Sequence, residues 1–183
     1  LSGWTGAATT SHTVFNSPTH SQSYTGSNYY TMGYAFTPSS DILVTDVRHY
    51  FGSKVSIWSS SGTLLASAAV SSTPGTWRET PLATPLQLSA GSTYRVAAYT
   101  PGQGYYYRTD MSSAFPHGTI NGAYYRTGDG FPTSSITGFQ WWLVGFRYEV
   151  GSNTAVDMAP TSVNLVNGVW TGDVTVLEEA TDM

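Results

Sequence analysis

The chain has 183 residues, with 14% aromatic and only 10% charged side chains, no cysteine and a formal net charge of −4. The absence of cysteine excludes disulfides, thiolate metal sites and cysteine catalysis. The acidic balance, with Lys54 as the single lysine, lacks the basic surface a nucleic acid needs, and no apolar run approaches the roughly 20 residues that span a bilayer.

That length suits one domain with an appendage. Few charges amid abundant Ser, Thr, Gly, Tyr and Trp is the composition of an extracellular β-protein, so a secreted or cell-surface location is expected. Starting at Leu1 rather than Met, the chain reads as a mature or excised fragment. Residues 1–150 hold seven bases against six acids, whereas residues 151–183 hold five acids and no base. A boundary is therefore expected near Gly151-Ser152-Asn153, with a β-module over 1–150 and a linker plus partial hairpin over 151–183.

Residues 1–23 are expected to be irregular, apart from a short strand near His12–Phe15. Tyr29–Phe36 reads as a strand, and Thr37-Pro38-Ser39-Ser40 as a turn. Ile42–Phe51 reads as the next strand, with imperfect alternation and a bulge near Asp46. Lys54–Trp58 and Thr63–Val70 form a hairpin around Gly62, with Val55, Ile57, Leu65 and either Ala66 or Ala68 pointing inward. Trp77–Leu82, Leu86–Leu88 and Tyr94–Tyr99 follow as three strands, the first two separated at Pro85.

Thr100-Pro101-Gly102-Gln103-Gly104 then reads as a turn, followed by Tyr105, Tyr106, Tyr107, Arg108 and Asp110. Successive strand residues face opposite ways, so a core absorbs at most one set of these tyrosines. Residues 108–122 read as a long loop, Ala123–Thr127 as a short strand, and Gly128–Pro132 as a tight turn. Gln140–Val150 reads as one strand, with Trp142, Val144, Phe146, Tyr148 and Val150 inward and Trp141 the best outward aromatic. Val163–Val166 and Val169–Leu177 read as a hairpin joined by Asn167-Gly168. No helical period is sustained. Short strands between Gly/Pro turns define an all-β class: an antiparallel β-sandwich, jelly-roll-like or Ig-like, with a C-terminal hairpin tail.

The blocks VSIWSSSGTLLASA (55–68), TWRETPLATPLQLSAGSTYRVAAYTPGQGYY (76–106), GAYYRTGDGFPTSS (122–135) and WWLVGFRYEV (141–150) occur in this order. With them, residues 24–150 resemble the bacterial family catalogued as domain of unknown function 4082. The resemblance implies a β-sandwich accessory module in large secreted or surface proteins, beside immunoglobulin-like modules and polysaccharide-active domains. It supplies no catalytic residues. The tail, 159–183, resembles the start of a second extracellular module, and as an unpaired apolar hairpin it would invite self-association.

A carbohydrate site is expected among Tyr105, Tyr106, Tyr107, Arg108, Asp110, Tyr124, Tyr125, Arg126, Asp129 and Trp141. Sugar rings stack apolar C–H faces on flat aromatics, and their hydroxyls need a few fixed donors and acceptors. For any single tyrosine, filling the sandwich is the commoner role. Asp110 and Asp129 form the one acid pair conceivable for a glycosidase, but no recognisable catalytic context accompanies them. Turn-capping or ion-paired carboxylates are the usual explanation.

The histidines His12, His20, His49 and His117 share no metal-ligand spacing, and neither a G-x-S-x-G elbow nor a phosphate loop is present. No cofactor is required. A structural calcium is the one candidate, at Asp41, Asp46, Asp110 or Asp129, with turn formation the commoner role of such residues. The expected partners are a glycan and the neighbouring domains of a larger protein, and the expected role is a non-catalytic polysaccharide-binding module. The alternative is a structural or adhesive module assembling through residues 159–183.

Overall fold

The computed structural model describes residues 9–136, 141–151, 158, 159, 175 and 176. In chain order the strands are β1 (Thr9–Thr13), β2 (Gln22–Pro38), β3 (Ile42–His49), β4 (Lys54–Ser59), β5 (Leu64–Ala69), β6 (Arg78–Leu88) and β7 (Tyr94–Arg108). They continue as β8 (Ala114–Phe115), β9 (Gly118–Thr127), β10 (Ser134–Ile136), β11 (Trp141–Trp142), β12 (Val144–Gly151), β13 (Met158–Ala159) and β14 (Thr175–Val176). No helix occurs among the described residues.

The fold is an antiparallel β-sandwich. A four-stranded sheet has the order β1-β12-β3-β6. An eight-stranded sheet has the order β10-β9-β2-β7-β4-β5, with β11 added to β7 and β8 to β9. Alternating apolar residues from both sheets make the core, as the pleat requires. Met32, Tyr34 and Phe36 of β2, Val55 and Ile57 of β4, and Val96 and Ala98 of β7 meet Ile42, Val44 and Val47 of β3 and Phe146 and Tyr148 of β12 in one cluster. Tyr34 Oη donates to the Val144 carbonyl at 2.9 Å, so a fully buried phenol has its partner.

The irregularity expected near Asp46 is a bulge. On both flanks of β3 the register passes from Val44 to Asp46 and skips Thr45. The inward positions accordingly change parity, from Ile42 and Val44 to Val47.

Several expectations change. β6 runs through both Pro81 and Pro85, because it ends the order of its sheet and an edge strand tolerates a missing N–H. Leu65 points out rather than in, and with Leu64 it is among the exposed large apolar residues; Ala66 and Ala68 pack on the core instead. β2 begins at Gln22, inside the stretch expected to be irregular. The loop expected over 108–122 contains β8 and the first half of β9.

The expected turn at Thr100–Gly104 is no turn. β7 continues through it to Arg108, and the surplus residues form irregularities opposite β2, where Asn28 pairs Gln103 and Tyr29 pairs Pro101. Gly102 takes φ 67°, and a Cβ on Gly104 would collide with the Tyr24 carbonyl, so glycine is what lets the strands close up here.

The expected single strand over 140–150 is two. β11 pairs β7 in the large sheet, and after Leu143 the chain joins β3 in the small sheet. Leu143 bridges the sheets: its N–H donates to the Tyr106 carbonyl at 3.1 Å, and its carbonyl accepts from Tyr50 N at 3.2 Å.

By contact density the chain forms two compact units, Ser11–Val150 and Leu1–Thr10 with Gly151–Met183. The described part of the second unit includes the pair β13–β14, with Met158 opposite Val176. The first strand of the expected tail hairpin, 163–166, and its Asn167-Gly168 turn lie outside the described residues.

Candidate functional site

The three tyrosines divide as pleating demands. Tyr105 and Tyr107 take one side of β7, with ring centroids 5.3 and 5.4 Å from Trp142. Tyr106 takes the other side, against His20 at 4.8 Å, Tyr50 at 5.5 Å and Phe51 at 6.4 Å.

β2 and β9 complete the group around Tyr105. Tyr24 lies directly opposite Tyr105 in register and stacks on it at 5.2 Å and 18°. Tyr30 stands edge-on to Tyr105 at 6.4 Å and to Tyr125 at 6.2 Å. Together Tyr30, Met32, Tyr105, Tyr125, Ile136 and Trp142 line an open cup of about 150 Å³. Met32 and Trp142 are 2% and 3% exposed and are its most buried members, whereas Tyr24 beside it is 45% exposed.

Two electrical features define the cup. No lining residue carries a charge-bearing side chain. Burial pushes the Tyr105 phenol above its ordinary value, with Tyr107, Tyr30 and Tyr24 adding to the effect. The Trp142 indole N–H is a buried donor with no hydrogen-bond partner among the described residues. The uncharged lining, with its phenols, suits a neutral ligand that has apolar faces and hydrogen-bonding oxygens.

The remaining expected site residues lie elsewhere. Trp141, expected to face outward, is 1% exposed and donates from Nε1 to the Met111 carbonyl at 2.9 Å. Trp141 pairs with Arg108 and so takes the Tyr106 side of β7, whereas Trp142 pairs with Tyr107 and lines the cup. Arg108 forms a bidentate fork with Asp110, Nε to Oδ1 at 2.8 Å and Nη2 to Oδ2 at 2.7 Å, and Nη1 donates to the Thr19 carbonyl at 2.7 Å. The fork holds the Asp110 carboxyl below its usual range. Tyr106 and Arg108 thus serve the side of β7 that receives residues 19 and 20, away from Tyr105 and Tyr107.

Tyr124 faces away from Tyr125. Its ring lies 3.8 Å from the Arg95 guanidinium carbon, which is also 4.4 Å from the Phe131 ring. Arg95 donates to the Pro132 carbonyl, and Lys54 pairs with Asp129. Thr31 Oγ1 donates to the Gly128 carbonyl at 2.8 Å and accepts from Gly130 N at 3.2 Å. These contacts fasten residues 128–132 across the strands, so Tyr124 and Asp129 hold a loop. Arg126 is exposed and bonds the neighbouring Thr127 carbonyl at 3.3 Å.

Asp110 and Asp129 each have their own cation, and no contact joins them. Asp41 accepts from Ala90 N at 2.8 Å, the role of a turn former. Among the described residues no three His, Asp or Glu side chains gather where they could hold a metal ion. One meeting was invisible to linear spacing: the His12 and His117 rings lie 4.5 Å apart, and His117 Nδ1 is 3.2 Å from Tyr148 Oη.

An antiparallel β-sandwich with an uncharged aromatic cup on its large sheet is the class these features define. The chain belongs to the family described as "Domain of unknown function (DUF4082)", whose model matches residues 16–143. Every cup residue, from Tyr30 to Trp142, falls within that match. No curated protein matches the chain.

Proposed function

We propose that this chain is a non-catalytic carbohydrate-binding accessory module of a secreted or surface multidomain bacterial protein. Its role would be to hold neighbouring domains on a polysaccharide and raise their effective concentration there. The observation that carries this reading is the cup: tyrosine and tryptophan rings around an uncharged opening of about 150 Å³. Aromatic faces answer the apolar C–H faces of a sugar, phenol groups answer its hydroxyls, and rigid two-torsion side chains lose little entropy on binding.

The test is a glycan array together with pull-downs on insoluble polysaccharides, each run with and without a calcium chelator. Binding to one glycan class is the expected result, and loss with chelator would bring a structural calcium into the account. Absence of binding above background on every glycan overturns the proposal.

A further inference from the structure

We infer that the cup accepts one neutral terminal sugar ring. This rests on the carbohydrate reading and specifies what part of a glycan is held.

Ring orientation carries the first half. A chain interior lies along a platform of coplanar aromatics, but these rings stand as walls. Tyr30 meets Tyr105 at 76° and Tyr125 at 77°, and Trp142 meets Tyr105 at 85° and Tyr107 at 62°. Tyr24–Tyr105, at 18°, is the near-parallel pair, and it stands at the more exposed side of the group. The volume agrees. About 150 Å³ is the size of cavity that admits a single six-membered ring, and a second sugar unit would extend into solvent.

The lining carries the second half. It bears no charged side chain, so a uronate or other acidic sugar would bring a buried carboxylate to a site with no cation to offset it. A neutral pyranose avoids that cost, and the phenols of Tyr30, Tyr105 and Tyr125 in the lining supply donors for its oxygens.

The test uses the full chain. Affinity gels containing neutral polysaccharides (glucans, mannan, galactan, xylan) and polygalacturonate identify a retarding polymer. Methyl pyranosides of the same sugars and oligomers of increasing length then compete. The expected result is retardation by a neutral polymer and competition by the single-ring glycoside within about tenfold of its longer oligomers.

Affinity that climbs with each added unit, with no competition by a single ring, overturns the inference while the carbohydrate reading stands. Retention by polygalacturonate alone overturns it in the same way. Retardation by no polymer overturns both. Tyr125→Ala, on a half-buried position, is expected to lose about tenfold or more in affinity for the single ring, and unchanged competition in that variant would refute the cup itself.

Discussion

Acidification should destabilise this fold through one histidine. His49 is 1% exposed, with Nδ1 2.7 Å from Ser72 Oγ and Nε2 3.0 Å from Thr80 Oγ1. The neutral ring satisfies both hydroxyls, one nitrogen donating and the other accepting. Burial, with the nearby Arg78 charge adding to it, pushes the imidazolium down from 6.5 to about 4. The unfolded chain therefore takes up this proton at a higher pH than the folded one. The contribution is fully present above pH 6.5 and is lost as pH falls through 4. Each pH unit of displacement is worth about 1.4 kcal/mol, which gives about 3 kcal/mol across that window. For a chain of this length that is a fall in Tm of roughly 6–12 °C.

The assay is urea unfolding of the wild type and of His49→Gln at several pH values from 7.5 to 3.5. The wild type should lose stability steeply between 6.5 and 4. His49→Gln should start lower and show a shallower slope, retaining the share due to His117, which burial and then His12 hold down in the same direction. Parallel slopes in the two proteins would refute the reasoning.

Other outcomes follow from the same contacts. Tyr34→Phe strands the bond to the Val144 carbonyl inside the core and should cost about 1–2 kcal/mol in urea unfolding. Arg48→Ala should cost about 3–5 kcal/mol by the same measurement. It removes a buried guanidinium that bonds Glu79 at 3.0 Å, the Phe15 carbonyl at 2.5 Å and Ser17 Oγ at 2.7 Å, and lies over Trp77. Glycan affinity should be nearly the same in low salt and in about 1 M salt, where screening acts within roughly 3 Å, because no lining residue of the cup is charged. Isothermal titration at the two ionic strengths checks this.

The sandwich was legible because alternation is local. Val55 and Ile57, or Val144, Phe146 and Tyr148, declare a buried face within a few residues. The misread positions share a cause: the deciding partner is remote. Pro101, Gly102 and Gly104 carry turn chemistry, and the same chemistry serves a bulge once β2 lies alongside. Parity sets Trp142 inward and Trp141 outward, but the chain changes sheets at Leu143, so Trp141 is covered as well while Trp142 lines the cup.

Tyr105, Tyr107 and Tyr125 could be named from sequence as surplus aromatic surface. Tyr24 could not, since it sits in a Ser/Gly-rich stretch whose pairing is set by β7. Asp129 and Tyr124 were drawn to the site by proximity in sequence, whereas Lys54 and Arg95, far away in the chain, claim them for the loop.

The most direct measurement on the central claim is affinity electrophoresis of the wild type and a Tyr105→Ala variant through gels containing neutral polysaccharides. Tyr105 touches Tyr24, Tyr30, Tyr107 and Trp142 yet is only half-buried, so its truncation opens the cup without emptying the core. The expected result is retardation of the wild type by one polymer and free migration of the variant, with both proteins folded by circular dichroism. Equal retardation of the two, or free migration of both through every gel, would contradict the assignment of the cup as a sugar site.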